Sequence, residues 1–298
     1  MKKPDRQMTV KFLKNLKTYS SIALFVVLTA CASSPRHAGP SDGVKVGEGS
    51  SLKNMVPASQ LEQSATKQYN SMKQKASQKN ALAPENHPQV IRLRAIAKKI
   101  LPHAYAWNPD SQGWKWEINL FVSDEVNAFC MPGGKIAFYT GILEKLKLND
   151  DEVATVMGHE IAHALREHAR DRIAKAQIGN LGANVLSSAL GLGNVGSQAL
   201  GQGLQIIGLS FSRADEKDAD LVGMDIAARA GYDPRAGVSL WQKMGQLSQD
   251  KDKQPEWLST HPSGDSRIYE IQRNMMDALV LYARAKNTTI DRLPNYKP

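Results

Sequence analysis

His159-Glu160-Ile161-Ala162-His163 is the stretch of this chain richest in chemistry. On a helix, at about 100° per residue, positions i and i+4 share a face one turn apart, so both imidazoles can converge on one divalent ion. Zinc takes such nitrogens at about 2.0–2.1 Å, and Glu160 beside them can accept a proton from a water that the ion activates. The neighbours suit a crowded site, because Gly158 and Ala162 are small while Val156 and Ala164 are apolar. A catalytic zinc also needs a third protein ligand and an open position. The metzincin continuation would place Gly at 166 and His at 169, but Arg166 and Ala169 stand there. His168 falls about 140° round a continued helix from His163 and reads as structural. The remaining source is a second helix. Within Ser212–Asp220, Glu216 and Asp220 share a face, so one can bind the ion while the other reaches back to an imidazole and fixes its tautomer. Spacing alone leaves an ordinary solvated acidic face as an equal reading of that run.

The elements that must position these residues follow from patterning. Asn149 and Glu152 form a capping box with Asp150 and Asp151 in the first turn, and Val153, Val156 and Met157 begin a buried face. Upstream, Trp116, Ile118 and Leu120 alternate with polar residues, and Pro132-Gly133-Gly134 turns the chain before Lys135–Tyr139. This predicts a small sheet between helical layers. Ser59 and Glu62 read as a second capping box, opening a helix with Leu61, Ala65, Tyr69, Met72 and Ala76 on one side. Further helices are expected at 88–101, 212–230, 234–248 and 264–286. Residues 176–212 carry no charge, yet are too rich in Gly, Asn, Gln and Ser for a membrane hairpin; they read as a flexible, partly helical cover over the site. The expected fold class is α+β, mainly α, with a small β-sheet beside the HExxH helix.

Composition narrows the function classes. The formal charge of +9 over 298 residues falls to +4 once residues 1–30 are set aside, since they hold six Lys/Arg against Asp5 alone. That balance leaves no electrostatic footprint for nucleic acid. The first thirty residues pair a basic segment with a short apolar run, Ile22–Leu28, too brief to span about 30 Å of hydrocarbon but suited to a signal peptide. Leu28-Thr29-Ala30-Cys31 resembles a bacterial lipobox, which implies acylation of Cys31; Ala32 after it implies an outer-membrane destination on the periplasmic side. Residues 31–57 then read as the acylated Cys and a flexible tether, 58–286 as the main domain, and 287–298 as a polar tail. Cys130 is left as a small apolar residue between Phe129 and Met131, and two cysteines exclude a disulfide framework.

His159-Glu160-x-x-His163, followed by Ser212-Arg213-x-x-Glu216-x-x-Ala219-Asp220, resembles the gluzincin metallopeptidase family of the CAAX prenyl protease and HtpX. Asn127–Ile136, with Thr140-Gly141-Ile142-Leu143, resembles the family's strand pair before the catalytic helix, and Thr260-His261-Pro262 with Arg267 resembles its late His-Pro segment. The four blocks stand in family order. The resemblance is nearest to the periplasmic lipoprotein branch, LoiP-like, or BepA-like without the repeat domain. It implies a zincin-type domain holding one Zn²⁺ through His159, His163 and Glu216. Glu160 is then the general base, with Asp220 and Arg213 behind the ligands. His261 is implied either as an oxyanion stabiliser or as a fourth zinc ligand in a closed state. An extended substrate would add to a sheet edge, for which Gly134, Lys135 and Ile136 are the candidate strand. The implied substrates are unfolded or misassembled envelope proteins, with the outer membrane and its assembly machinery as further partners. A chaperone or assembly factor with a silent zinc site is the competing reading.

Overall fold

In the computed structural model, which describes residues 39–189 (180–189 as backbone), 206, 210–247, 255–262 and 264–298, the elements run in a simple order. Helices α1 (Ala58–Gln78) and α2 (Pro88–Ala104) precede strands β1 (Glu117–Phe121), β2 (Ala128–Met131) and β3 (Lys135–Tyr139). Then follow α3 (Thr140–Lys145), α4 (Asp150–Leu165), α5 (His168–Ala189), α6 (Arg213–Arg229) and α7 (Ala236–Leu247). The chain ends through α8 (Glu256–Thr260), α9 (Asp265–Arg273) and α10 (Met275–Ala285). This is the expected mainly helical α+β architecture with a small sheet. The predicted signal peptide, Cys31 and most of the predicted cover, residues 190–205 and 207–209, lie outside the described residues. Among the described residues no helix is long and apolar enough to cross a membrane.

Capping fixes where the two site-bearing helices start. Asn149 accepts from the Glu152 amide while Glu152 accepts from the Asn149 amide, opening α4 as its sequence predicts. Ser212 and Asp215 form the same reciprocal box at α6. The Ser59–Glu62 box does not form: α1 starts after Pro57 with no side-chain cap, and Glu62 instead accepts from the Trp114 indole. The expected helix over 264–286 is two helices, broken at Asn274.

The sheet order is β1-β3-β2, with β1 parallel and β2 antiparallel to β3. Alternation sends Ile136 and Phe138 into the main core, with Val153, Val156, Met157 and Ile161 of α4 and Leu93 and Ile96 of α2. Ala137 faces the opposite way, into a second cluster with Leu61, Ala65 and Tyr69 of α1. The sheet therefore lies between helical layers. It also overturns one expectation. Lys135 and Ile136, after Gly134, open β3, which is the central strand and has no free edge; the edges are β1 and β2. Ile136 is fully buried, and Gly134 (φ +79°) packs so closely on Trp116 that a Cβ would sit 2.8 Å from the indole.

Residues 39–57, read from sequence as the end of a tether, lie on the domain. Two apolar anchors in that polar run, Val44 and Val56, are buried. The Val44 amide donates to Asp225, and Asp42 is gripped by Arg229 and Arg284. Together the two guanidiniums hold the Asp42 carboxyl down to about 2. The polar tail docks too, since the Tyr296 hydroxyl lies 3.1 Å from Ser239 Oγ.

Helices α4 and α6 meet at a glycine pair. A Cβ on Gly158 would lie 2.6 Å from the Gly223 carbonyl oxygen, and one on Gly223 would lie 2.6 Å from the His159 nitrogen. Backbone cannot yield there as a flexible side chain would. Gly223→Ala should therefore destabilise the chain by about 1–3 kcal/mol in urea unfolding. Gly179→Ala on α5, where nothing lies within 4 Å, should be neutral or slightly stabilising. Equal effects would refute the close-packing account.

Candidate metal centre

Four buried side chains from three elements aim their donor atoms at one point: His159 and His163 on α4, Glu216 on α6, and His261 just after α8. His159 Nε2 lies 3.1 Å from His163 Nε2 and 3.2 Å from His261 Nδ1. Glu216 Oε1 lies 3.4 Å from His163 Nε2 and 3.0 Å from His261 Nδ1, and its Oε2 is 3.6 Å from His159 Nε2. The corners of a tetrahedron around an ion with bonds of about 2.0–2.1 Å are about 3.3–3.4 Å apart. Three imidazoles and a carboxylate at that spacing fit one zinc ion. His261 takes the fourth corner in this conformation, which favours the fourth-ligand alternative over an oxyanion role here.

The charges around the cage suit a cation. Burial pushes the His163 pKa well down, with neighbouring His159 and His168 adding to it, so its ring is held neutral as a metal ligand requires. Burial would raise Glu216, but hydrogen bonds from His163 and His261 and the nearby positive charge outweigh it and hold the carboxyl far below its ordinary range. Burial likewise opposes charge on His261, yet Glu160 and Glu216 on either side raise its pKa. Asp220 Oδ1 is 3.1 Å from His159 Nδ1, which places the proton there and leaves Nε2 free to bind. Asp220 itself is lowered, the guanidinium of Arg267 overcoming burial.

Arg267, one of two arginines that the motifs single out, binds both buried carboxylates. Its Nε and Nη2 donate to Asp220 at 2.6 Å each, and Nη1 donates to Glu216 at 2.5 Å. The guanidinium carbon stands 3.7 Å from the Trp241 ring centroid, and Trp241 stacks on Trp257 at 5.2 Å. Trp257 Nε1 donates to Glu160 Oε1 at 2.6 Å, and His261 Nε2 lies 3.5 Å from the same oxygen. Arg213, expected behind the ligands, is exposed on the first turn of α6 and makes no ion pair among the described residues; α9 brings Arg267 to that position instead.

Trp257, Trp241 and Phe211 are site residues that sequence reasoning missed. Phe211 lies 4.0 Å from the His163 ring and 5.4 Å from that of His261, so an aromatic face covers both imidazoles. Asn127–Pro132, including edge strand β2, line one cleft with Glu160, His163 and His261. Cys130 sits half-buried in its wall, where burial raises the thiol pKa. His168 is not turned away: α4 ends at Leu165, and Glu167 at φ +58° reverses the chain so that His168 returns to His163.

An HExxH helix whose histidines meet a glutamate from a second helix, with a small sheet beside them, defines a metallopeptidase centre. The match to peptidase family M48 spans residues 90–275, and the chain belongs to that family. Over 181 residues (60% of this chain, 36% of the relative) it is 38% identical to mitochondrial metalloendopeptidase OMA1 of Arabidopsis thaliana. The Saccharomyces cerevisiae protein of that name is 32% identical over 215 residues, covering 68% of this chain and 61% of the relative. Beta-barrel assembly-enhancing protease of Yersinia pestis is 31% identical over 171 residues, 54% of this chain and 35% of the relative. The chain thus spans roughly a third to three fifths of the length of these curated relatives.

Removing Arg267 would leave two adjacent carboxylates buried without their cation. Arg267→Gln should cost about 3–5 kcal/mol in urea unfolding of the metal-free protein. An unchanged midpoint would show that other groups neutralise Glu216 and Asp220.

Proposed function

We propose that the chain is a zinc-dependent endopeptidase of the bacterial periplasm, of the LoiP-like lipoprotein branch, held to the outer membrane through Cys31. Its proposed substrates are misfolded or unassembled envelope proteins. The convergence of His159, His163, Glu216 and His261, with Glu160 alongside, is the observation that carries the reading. Zinc in that cage would supply a Lewis acid that polarises a peptide carbonyl and activates water. Glu160 is then the group to take the proton of the attacking water and pass it to the leaving amine. For this its carboxylate must be free to turn from Trp257 and His261. His261, by leaving the fourth corner, opens a position for substrate and stands where negative charge develops. An extended polypeptide would pair with β2 through backbone hydrogen bonds, which ask little of its sequence.

The relatives pull in two directions over setting: OMA1 is named as mitochondrial, whereas the Yersinia pestis relative is named for β-barrel assembly. The lipobox-like Leu28-Thr29-Ala30-Cys31 favours the envelope. A second reading, an assembly factor or chaperone with a largely silent zinc site, draws on His261 filling the fourth corner.

The purified chain should contain one zinc and hydrolyse casein, and chelation should abolish the activity. Glu160→Gln should keep the metal while lowering turnover by about 10²–10⁴-fold. A metal-free chain, or hydrolysis untouched by chelation, would overturn the peptidase reading. Full rescue of an envelope defect by the Gln variant would favour the chaperone. In cells, Cys31→Ser should abolish labelling by radioactive palmitate and release the chain from the outer-membrane fraction; retention without label would refute the anchor.

A further inference from the structure

We propose that His168, backed by Asp218 and Arg166, is a positioning residue for the ligand His163, an inference that rests on the zinc reading above. His168 Nδ1 lies 3.0 Å from His163 Nδ1, the nitrogen facing away from the cage. His168 Nε2 lies 3.0 Å from Asp218 Oδ2, and Arg166 Nε donates to that same oxygen at 2.6 Å. Arg166 Nη2 completes the row by donating to the Gly47 carbonyl at 2.6 Å. His163, His168 and Arg166 are all buried, and Asp218 is half-buried, so the contact between the two imidazoles is sheltered from water.

Proton bookkeeping selects one arrangement along this row. Asp218, when ionised, only accepts, so His168 donates from Nε2 and keeps a lone pair on Nδ1. That lone pair accepts from His163 Nδ1–H, and a neutral His163 then presents an unprotonated Nε2 to the cage. The opposite arrangement would protonate His163 Nε2, blocking the ion, and would turn a bare His168 nitrogen towards a carboxylate. Helix α6 thus serves the centre three times. Glu216 is a ligand and Asp220 orients His159 directly. Asp218 lies about 200° round the helix from Glu216, too far to touch His163 itself, so an imidazole bridges the distance.

The test uses the full chain, with zinc alone as the probe and a chromogenic chelator as competitor. Thermal unfolding of the metal-free proteins is followed in parallel. His168→Leu, which removes both bonds, should weaken zinc binding by about 10–100-fold. His168→Asn keeps an acceptor at the Nδ1 position and should recover most of that loss, while unfolding of the metal-free Leu and Asn variants shifts alike. Asp218→Asn should weaken zinc binding partially, and decides the matter if His168→Leu does not fold. Wild-type affinity in His168→Leu, or equal losses in the Leu and Asn variants, would overturn the proposal. Failure of the wild type to bind zinc would overturn the metallopeptidase reading and this one with it.

Discussion

Two carboxylates stand one helical turn apart on α6, both buried, and much of the surrounding structure answers to that burden. A buried carboxylate is tolerated only where charges and hydrogen bonds replace its hydration. Glu216 receives His163, His261 and Arg267, while Asp220 receives His159 and both remaining arms of Arg267. Supplying that one guanidinium fixes where α9 must dock. It also explains Trp241, whose ring face lies against the cation, and Trp257, which stacks on Trp241 and reaches Glu160. Glu160, Glu216 and Asp220 are therefore joined through an arginine and two indoles as well as through the histidines.

The cage closes only because two helices approach without side chains between them. Gly158 and Gly223 provide that approach one residue from His159, so the helix carrying the histidines and the helix carrying the glutamate are set by backbone contact. Geometry of this kind resists drift. A ligand set held by flexible loops would have to be ordered by the ion, whereas here two capped helices bring His159, His163 and Glu216 together within the protein's own packing.

Much of this was legible in the residues. The 159–163 spacing and the Asn149 cap placed two imidazoles on one helix face, because helical periodicity converts sequence distance directly into direction. The Glu216–Asp220 run stood level with a solvated acidic face until the resemblance singled it out, and the fold brings Glu216 to the same point as the histidines. What failed did so where direction depends on a break in periodicity or on tertiary order. His168 was placed by continuing a helix that stops at Leu165; the left-handed Glu167 re-aims it. Strand order is not encoded in alternation, so the strand at Gly134–Ile136 was read as an edge although β3 lies in the middle of the sheet. Arg213 was expected behind the ligands, and only the docking of α9 against α6 gives that place to Arg267. The run 39–57 looked like a linker by composition, and its fate turned on two valines and an aspartate that composition does not weigh.

Trp257 has a further consequence. Its indole is fully buried, 5.5 Å from the His159 ring and 5.0 Å from that of His261, and hydrogen-bonded to Glu160. Any change in the charge of those rings, or any swing of Glu160 away from the indole nitrogen, alters the electric field across the chromophore. The molecule thus carries an intrinsic optical gauge of its own centre, readable as the part of the emission of its five tryptophans that is lost on replacing Trp257 with Phe.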